Sequence, residues 1–150
     1  MADDLKTIGE DLAGYDESNL IEMLGIRARQ IQSNHTIAGE FSPDVTYDAK
    51  FMGPLDDIKA LGLRILNRWN RELFNIVCGA SNDDKEDRTK ILNALTLGEG
   101  AAIAALIPVL TGLGLAPALA AVLAAIIVKR FLGTALDTIC DAWGQQVKKT

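Results

Sequence analysis

Hydrophobic positions recur at helical spacing through most of the chain. In residues 3–13, Leu5, Ile8 and Leu12 share a face, and Gly9 and Gly14 weaken it, which predicts a short helix. Ser18 is placed to cap a second helix, in which Ile21, Leu24, Ala28 and Ile31 form one stripe before Ser33-Asn34 ends it. Residues 34–53 are the least periodic stretch. Pro43 forbids helix around Ser42, and Val45, Tyr47 and Phe51 suit an extended segment. A loop of about 20 residues is long for a compact domain, so it reads as functional or flexible.

Pro54 opens the strongest helix at its first helical position, where a missing amide costs nothing. Asp56 and Asp57 follow in the first turn, which the helix dipole favours. Leu55, Ile58, Gly62, Ile65, Trp69, Leu73 and Ile76 trace its apolar face, and Gly79 reads as a left-handed C-cap. Such a helix is roughly 37 Å long. Residues 81–84 form a polar capping turn. Asp83, Asp84, Glu86 and Asp87 then crowd the start of a helix carrying Ile91, Leu92 and Leu95. Near the C-terminus, Leu132, Leu136, Ile139, Trp143 and Val147 continue a helical stripe that Asp137 and Asp141 avoid. No strand pair or hairpin turn is evident. The pattern predicts an all-α fold, a bundle of five to seven helices around a C-terminal hydrophobic helical hairpin at about 97–131. It reads as one domain, 1–150, with an amphipathic acidic part (1–96) and the hairpin plus a C-terminal helix (97–150).

The hairpin comes from one segment. Residues 100–128 are 29 consecutive positions without a charge, ten of them Ala, six Leu, four Ile and three Val. As one straight helix they would span about 43 Å, more than the ~30 Å of a bilayer's hydrocarbon core. Pro108, Gly112, Gly114 and Pro117 argue instead for a break between two arms, 97–110 and 117–131. Each arm is about 20 Å long, too short to cross a bilayer alone. An arm that is apolar all round sits either at the centre of a bundle or in lipid, with no face for water. Its candidate hairpin residues are Ile103, Leu106, Ile107, Pro108, Leu110, Gly112, Gly114, Pro117, Leu119, Val122, Leu123, Ile126 and Ile127. Small residues at four-residue spacing, Gly112, Ala116, Ala120 and Ala124, permit close helix approach in either setting.

Composition sharpens the division. Overall 49% of residues are hydrophobic and the net charge is −5. The first 99 residues carry 11 basic and 18 acidic side chains, and the last 22 carry four and two. An acidic balance argues against nucleic acid as a partner. Arg64, Arg68 and Arg71, at i, i+4 and i+7, form a basic stripe that is either a solvated helix face or a contact for an acidic partner or lipid headgroups. Lys129 and Arg130 would stay at an anionic surface beside the hairpin. In composition the uncharged segment resembles the buried hydrophobic hairpin of pore-forming colicin domains, over 35 residues and without a residue-level motif. That resemblance implies a helical bundle that is soluble first and inserts later.

Catalytic chemistry is absent from the motifs. The single His35 has no second ligand, so no zinc site is expected. The four serines lack a nucleophile-elbow context, the Gly-x-Gly pairs at 98–100 and 112–114 lack a phosphate-loop setting, and the carboxylates lack calcium-loop spacing. Neither an enzyme, a cofactor nor a small-molecule substrate is expected. Cys78 and Cys140 read as two small core residues rather than a disulfide. Asn34-His35-Thr36 matches a glycosylation sequon, which matters only in a secreted chain. The acidic N-terminal residues lack the form of a signal peptide, so cytoplasmic residence, with movement to the inner face of a membrane, is expected. Two functions remain open: a membrane-active protein with a shielded hairpin, whose partner is lipid, and a soluble bundle that binds itself or another protein.

Overall fold

The fold is given by a computed structural model that describes residues 2–43, 45–79, 81–131, 134–135 and 137–148. It is helical, with no strand among the described residues. Its α-helices are α1 (Ala2–Ala13), α2 (Glu17–Ser33), α3 (Ala49–Met52), α4 (Leu55–Cys78), α5 (Lys85–Ala94), α6 (Glu99–Gly112), α7 (Pro117–Phe131) and α8 (Ile139–Lys148), with 3₁₀ turns at His35–Gly39 and Asn82–Asp84. The expected five to seven thus become eight among the described residues. The extra one is α3, a single turn inside the stretch read as aperiodic. Asp48 caps it by accepting from the Lys50 amide at 3.0 Å, and Gly53, with φ 80°, ends it. Two further contacts hold described parts of that stretch. Tyr47 donates its hydroxyl to the Gly53 carbonyl at 2.5 Å, and Asn34 caps the first 3₁₀ turn.

Helix α7 lies at the centre. Ala118, every residue from Ala120 to Val128 and Phe131 are buried. Helices α1, α2 and α6 and the 3₁₀ turn His35–Gly39 pack directly on α7. Helix α4 forms an outer layer on α2, α5 and α8. An element buried all round must be apolar all round, which is the pattern of 117–131. Helix α6 is different. Ile103, Leu106, Ile107 and Leu110 are buried, while Ala101, Pro108 and Gly112 are exposed. The uncharged segment therefore does have a face toward water, contrary to the expectation from its composition. Pro108 stays inside α6, and the chain turns at residues 113–116, where Gly114 adopts φ 104°. A positive φ there is cheap only for glycine.

Two helix crossings depend on glycine. Helix α1 meets α6 at Gly9 and Gly100, and α2 meets α4 at Gly25 and Gly62. A Cβ on Gly25 would overlap the Ile58 carbonyl oxygen, and one on Gly62 would overlap that of Ile21. The glycines that weaken these helices locally are what let their backbones approach. Gly25→Ala is expected to lower the unfolding free energy by about 1–3 kcal/mol through overpacking. Gly144→Ala, whose Cβ would sit 3.6 Å from the Phe74 ring, is expected to raise it by about 0.5–1 kcal/mol. Urea denaturation of both variants checks the pair, and a neutral Gly25→Ala would contradict the close crossing.

Several boundaries differ from the sequence expectations for identifiable reasons. Asp16 rather than Ser18 caps α2, accepting from the Asn19 amide at 2.7 Å. Pro54 is the N-cap of α4, so the helix begins at Leu55, one residue later than expected. Gly79 is extended, at φ −81° and ψ 172°, not left-handed. Its amide donates to the Asn75 carbonyl at 2.9 Å and Arg88 Nε donates to the Ile76 carbonyl at 2.9 Å, so two carbonyls of the last turn are partnered without a left-handed residue. The buried row of α4 is Ile58, Gly62, Leu66, Asn70, Leu73 and Val77, with Ile65, Trp69 and Ile76 at its edge.

The C-terminal stripe is broken. Ile139 and Trp143 are buried on α8 and Val147 is half-buried, but the chain is not helical at Thr134 and Ala135. Leu132 and Leu136 lie outside the described residues. The Phe131 and Trp143 rings stack with centroids 4.4 Å apart. In one continuous helix, residues twelve apart would be separated by about 18 Å, so the stack requires the break. Cys78 and Cys140 form a disulfide with a Cα–Cα distance of 5.7 Å, which corrects their reading as separate core thiols. Cys140 is exposed and Cys78 is half-buried. What each helical pattern could not show is that the last residue of α4 and the second of α8 meet.

Candidate functional site

Helix α7, which carries the second half of the uncharged segment, is held at both ends by contacts of charged side chains. At the N-terminal end of α7, Arg27 of α2 is buried, at 6% exposure. Its Nη1 donates to the Ala118 carbonyl at 2.9 Å and to the Phe41 carbonyl at 3.1 Å. One guanidinium thus joins α2, the 34–53 segment and α7. Burial lowers the Arg27 pKa to about 10, and the nearby Tyr15 and Asp11 partly offset that. It remains a cation at neutral pH, and a buried cation is tolerated only while its hydrogen bonds are made.

At the other end of α7, Lys129 and Arg130 turn inward rather than toward solvent. Lys129 Nζ sits 2.7 Å from Glu99 Oε1 at the start of α6 and donates to the Ala13 carbonyl, at the end of α1, at 2.8 Å. Arg130 Nε pairs with Glu17 at the start of α2, and its Nη1 donates to Gln146 Oε1 of α8 at 3.1 Å. Two adjacent cations therefore fasten α7 to α1, α2, α6 and α8. Both sit at the C-terminal end of α7, where the helix dipole favours them, and their partners Glu17 and Glu99 sit at helix N-termini, where it favours anions.

A third contact lies beneath. Trp143 of α8 donates its indole N–H to Asn70 Oδ1 of α4 at 2.6 Å, and Asn70 is itself 1% exposed. The Asn70 amide nitrogen is buried without a partner. Sequence reading missed both Arg27 and Asn70. The signal was present: each is a polar residue within a buried row, Leu20-Leu24-Arg27 and Leu66-Asn70-Leu73, and a polar residue in such a row needs an internal partner.

The structure distributes the remaining candidates as follows. Ile103, Leu106, Ile107, Leu110, Val122, Leu123, Ile126 and Ile127 are core residues. Pro117 and Leu119 are half-buried, and Pro108, Gly112 and Gly114 are exposed. Pro108 lines an open cleft of about 460 Å³ between α5 and α6, together with Lys90, Ala94, Leu97 and Ala105. Arg64, Arg68 and Arg71 are all exposed on α4 and are not brought to the hairpin. His35 is exposed on its 3₁₀ turn. Among the described residues no three His, Cys, Asp or Glu side chains are grouped to hold a metal ion. No helix among them is long and apolar enough to cross a membrane.

No protein-family model matches the chain, and neither a curated protein nor a solved structure matches it. The likeness to the colicin hairpin remains one of composition.

Proposed function

We propose that the protein is a non-enzymatic, membrane-active helical protein, a pore-forming or membrane-perturbing effector whose α6–α7 hairpin is shielded in the folded form. The observation that carries this reading is the absence of charge where folding does not require it. The core needs apolar residues at the buried positions of 100–128. It makes no such demand at Ala101, Pro108 and Gly112, which are exposed, or at Thr111, Ala116 and Pro117, which are half-buried. A surface that water alone meets would ordinarily admit Lys or Glu there, since charged residues are the usual occupants of exposed positions. A surface that meets lipid would exclude them.

In this reading α1 and α2 are the shield, and Arg27, Lys129 and Arg130 are the polar clasps that hold it. Opening the clasps lets α6 and α7 leave together. Helices of 14 and 15 residues are about 21–23 Å long, so the pair perturbs the bilayer or lines a pore only as several copies. The expected result is dye release from anionic vesicles by the full-length protein, increased by Lys129→Met, which removes one clasp. Absence of release by either protein at neutral and acidic pH would overturn the proposal.

The alternative is a soluble partner-binding or oligomerising module with the hairpin as its buried core. The α5–α6 cleft favours it, since Leu97, 44% exposed, stands beside Ala105 and Pro108 there. Failure of membrane binding, together with concentration-dependent self-association, would support that reading instead.

A further inference from the structure

The exposed face of α4 carries two adjoining rows. One is Arg64, Arg68 and Arg71, and the other is Ala60, Leu63 and Asn67. All but Asn67 are exposed, and Leu63, at 42%, is one of four exposed large hydrophobic residues among those described. Among the described residues no carboxylate forms an ion pair with Arg64 or Arg68, although Asp57 and Glu72 lie on the same helix. The other cations singled out by sequence, Lys129 and Arg130, are committed inside the fold. The α4 face is therefore a basic, partly apolar strip about 16 Å long on a chain whose net charge is −5.

We propose that this face of α4 docks the folded protein onto an anionic lipid surface, with the helix lying in the plane of the headgroups. Charge complementarity selects the kind of partner. Guanidinium groups take phosphate oxygens in bidentate fashion, and Arg64 and Arg68, one turn apart, point to one side. The neighbouring row selects lipid over an acidic polypeptide. Leu63 and Ala60 project between the headgroup level and the acyl boundary, as the apolar side of an interfacial helix does. A single helix face is also convex, so the strip suits a broad surface better than a threaded peptide. Asp57 and Glu72 flank the arginines on the same helix, and charge farther than a Debye length of about 8 Å is screened.

The inference takes its lipid setting from the proposed function but does not need the hairpin to insert. Vesicle flotation tests it, using phosphatidylcholine alone and phosphatidylcholine with phosphatidylglycerol. The expected result is binding only to the anionic vesicles, falling about thirtyfold in Arg64→Gln/Arg68→Gln at roughly 1 kcal/mol per arginine. Arg64→Lys/Arg68→Lys should retain most of the binding, and the thermal transition of each variant reports that it is folded. Equal binding by the glutamine variant overturns the proposal. So does binding to soluble polyglutamate with none to vesicles, which would assign the strip to an acidic protein. Binding without dye release supports this docking and counts against hairpin insertion. Dye release that the glutamine variant leaves unchanged counts only against the docking.

Discussion

Replacing Cys78 and Cys140 together by alanine is expected to lower the unfolding free energy by about 4 kcal/mol. The disulfide joins residues 62 positions apart, and a crosslink that closes so long a loop removes much of the unfolded chain's conformational entropy. The loop holds α5, α6 and α7, so the bond ties off the base of the segment that carries the hairpin. A local effect adds to this. Helix α8 has ten residues, too few to be stable alone, and depends on what anchors it. Besides the disulfide its anchors include the buried Ile139, Trp143, through Phe131 and Asn70, and Gln146, through Arg130. Urea denaturation of the double variant measures the loss, and a thiol reductant should reproduce it in the wild type because Cys140 is exposed. A loss below about 1 kcal/mol would mean that the unfolded chain is already restrained or that the two thiols are not joined.

How much of this fold can be read from sequence varies by element. Helix α7 is the plainest, because a helix surrounded on every side leaves no polar position and therefore no ambiguous face. Helix α1 is also legible: Leu5, Ile8 and Leu12 are its inward residues, as their spacing suggests. Helix α4 is half-legible. Its type and extent follow from Pro54, the Asp pair and the apolar stripe, but its buried row passes through Leu66, Asn70 and Val77. Periodicity counts apolar residues, so a polar residue that is satisfied internally is read as facing out. The same blindness hid Arg27. Lys129 and Arg130 were visible as a basic pair at the end of α7, but their partners Glu17 and Glu99 are distant in sequence, and one-dimensional pattern carries no such pairing. The disulfide is illegible for that reason too, and because its meaning depends on compartment. Disulfides persist in oxidising surroundings and are rare in the cytosol, so the bond pulls against the cytoplasmic residence suggested by the N-terminal residues.

A second large effect is expected from one glutamate placed at two positions of the uncharged segment. Ala121 is fully buried near the middle of α7, among neighbours that are themselves buried from Ala120 to Val128. Ala121→Glu must either bury a carboxylate without a partner or protonate it and still displace packed side chains. Either route costs several kcal/mol. That is comparable with the whole stability of a domain of this size, so the variant is expected to lose its cooperative thermal transition. Ala101 is exposed in the first turn of α6, where the helix dipole favours a carboxylate by about 0.3–1 kcal/mol. Ala101→Glu is therefore expected to fold as well as the wild type or better. Composition alone treats the two alanines as equivalent. The structure separates them, and Ala101→Glu then isolates function from folding. If the hairpin enters lipid, a carboxylate added to the open side of α6 is disfavoured there, and dye release from vesicles should fall even though the protein is fully folded. If Ala101→Glu releases dye as the wild type does, the charge-free face of α6 has no part in membrane entry. The uncharged segment would then owe its composition to the needs of α7 as a core.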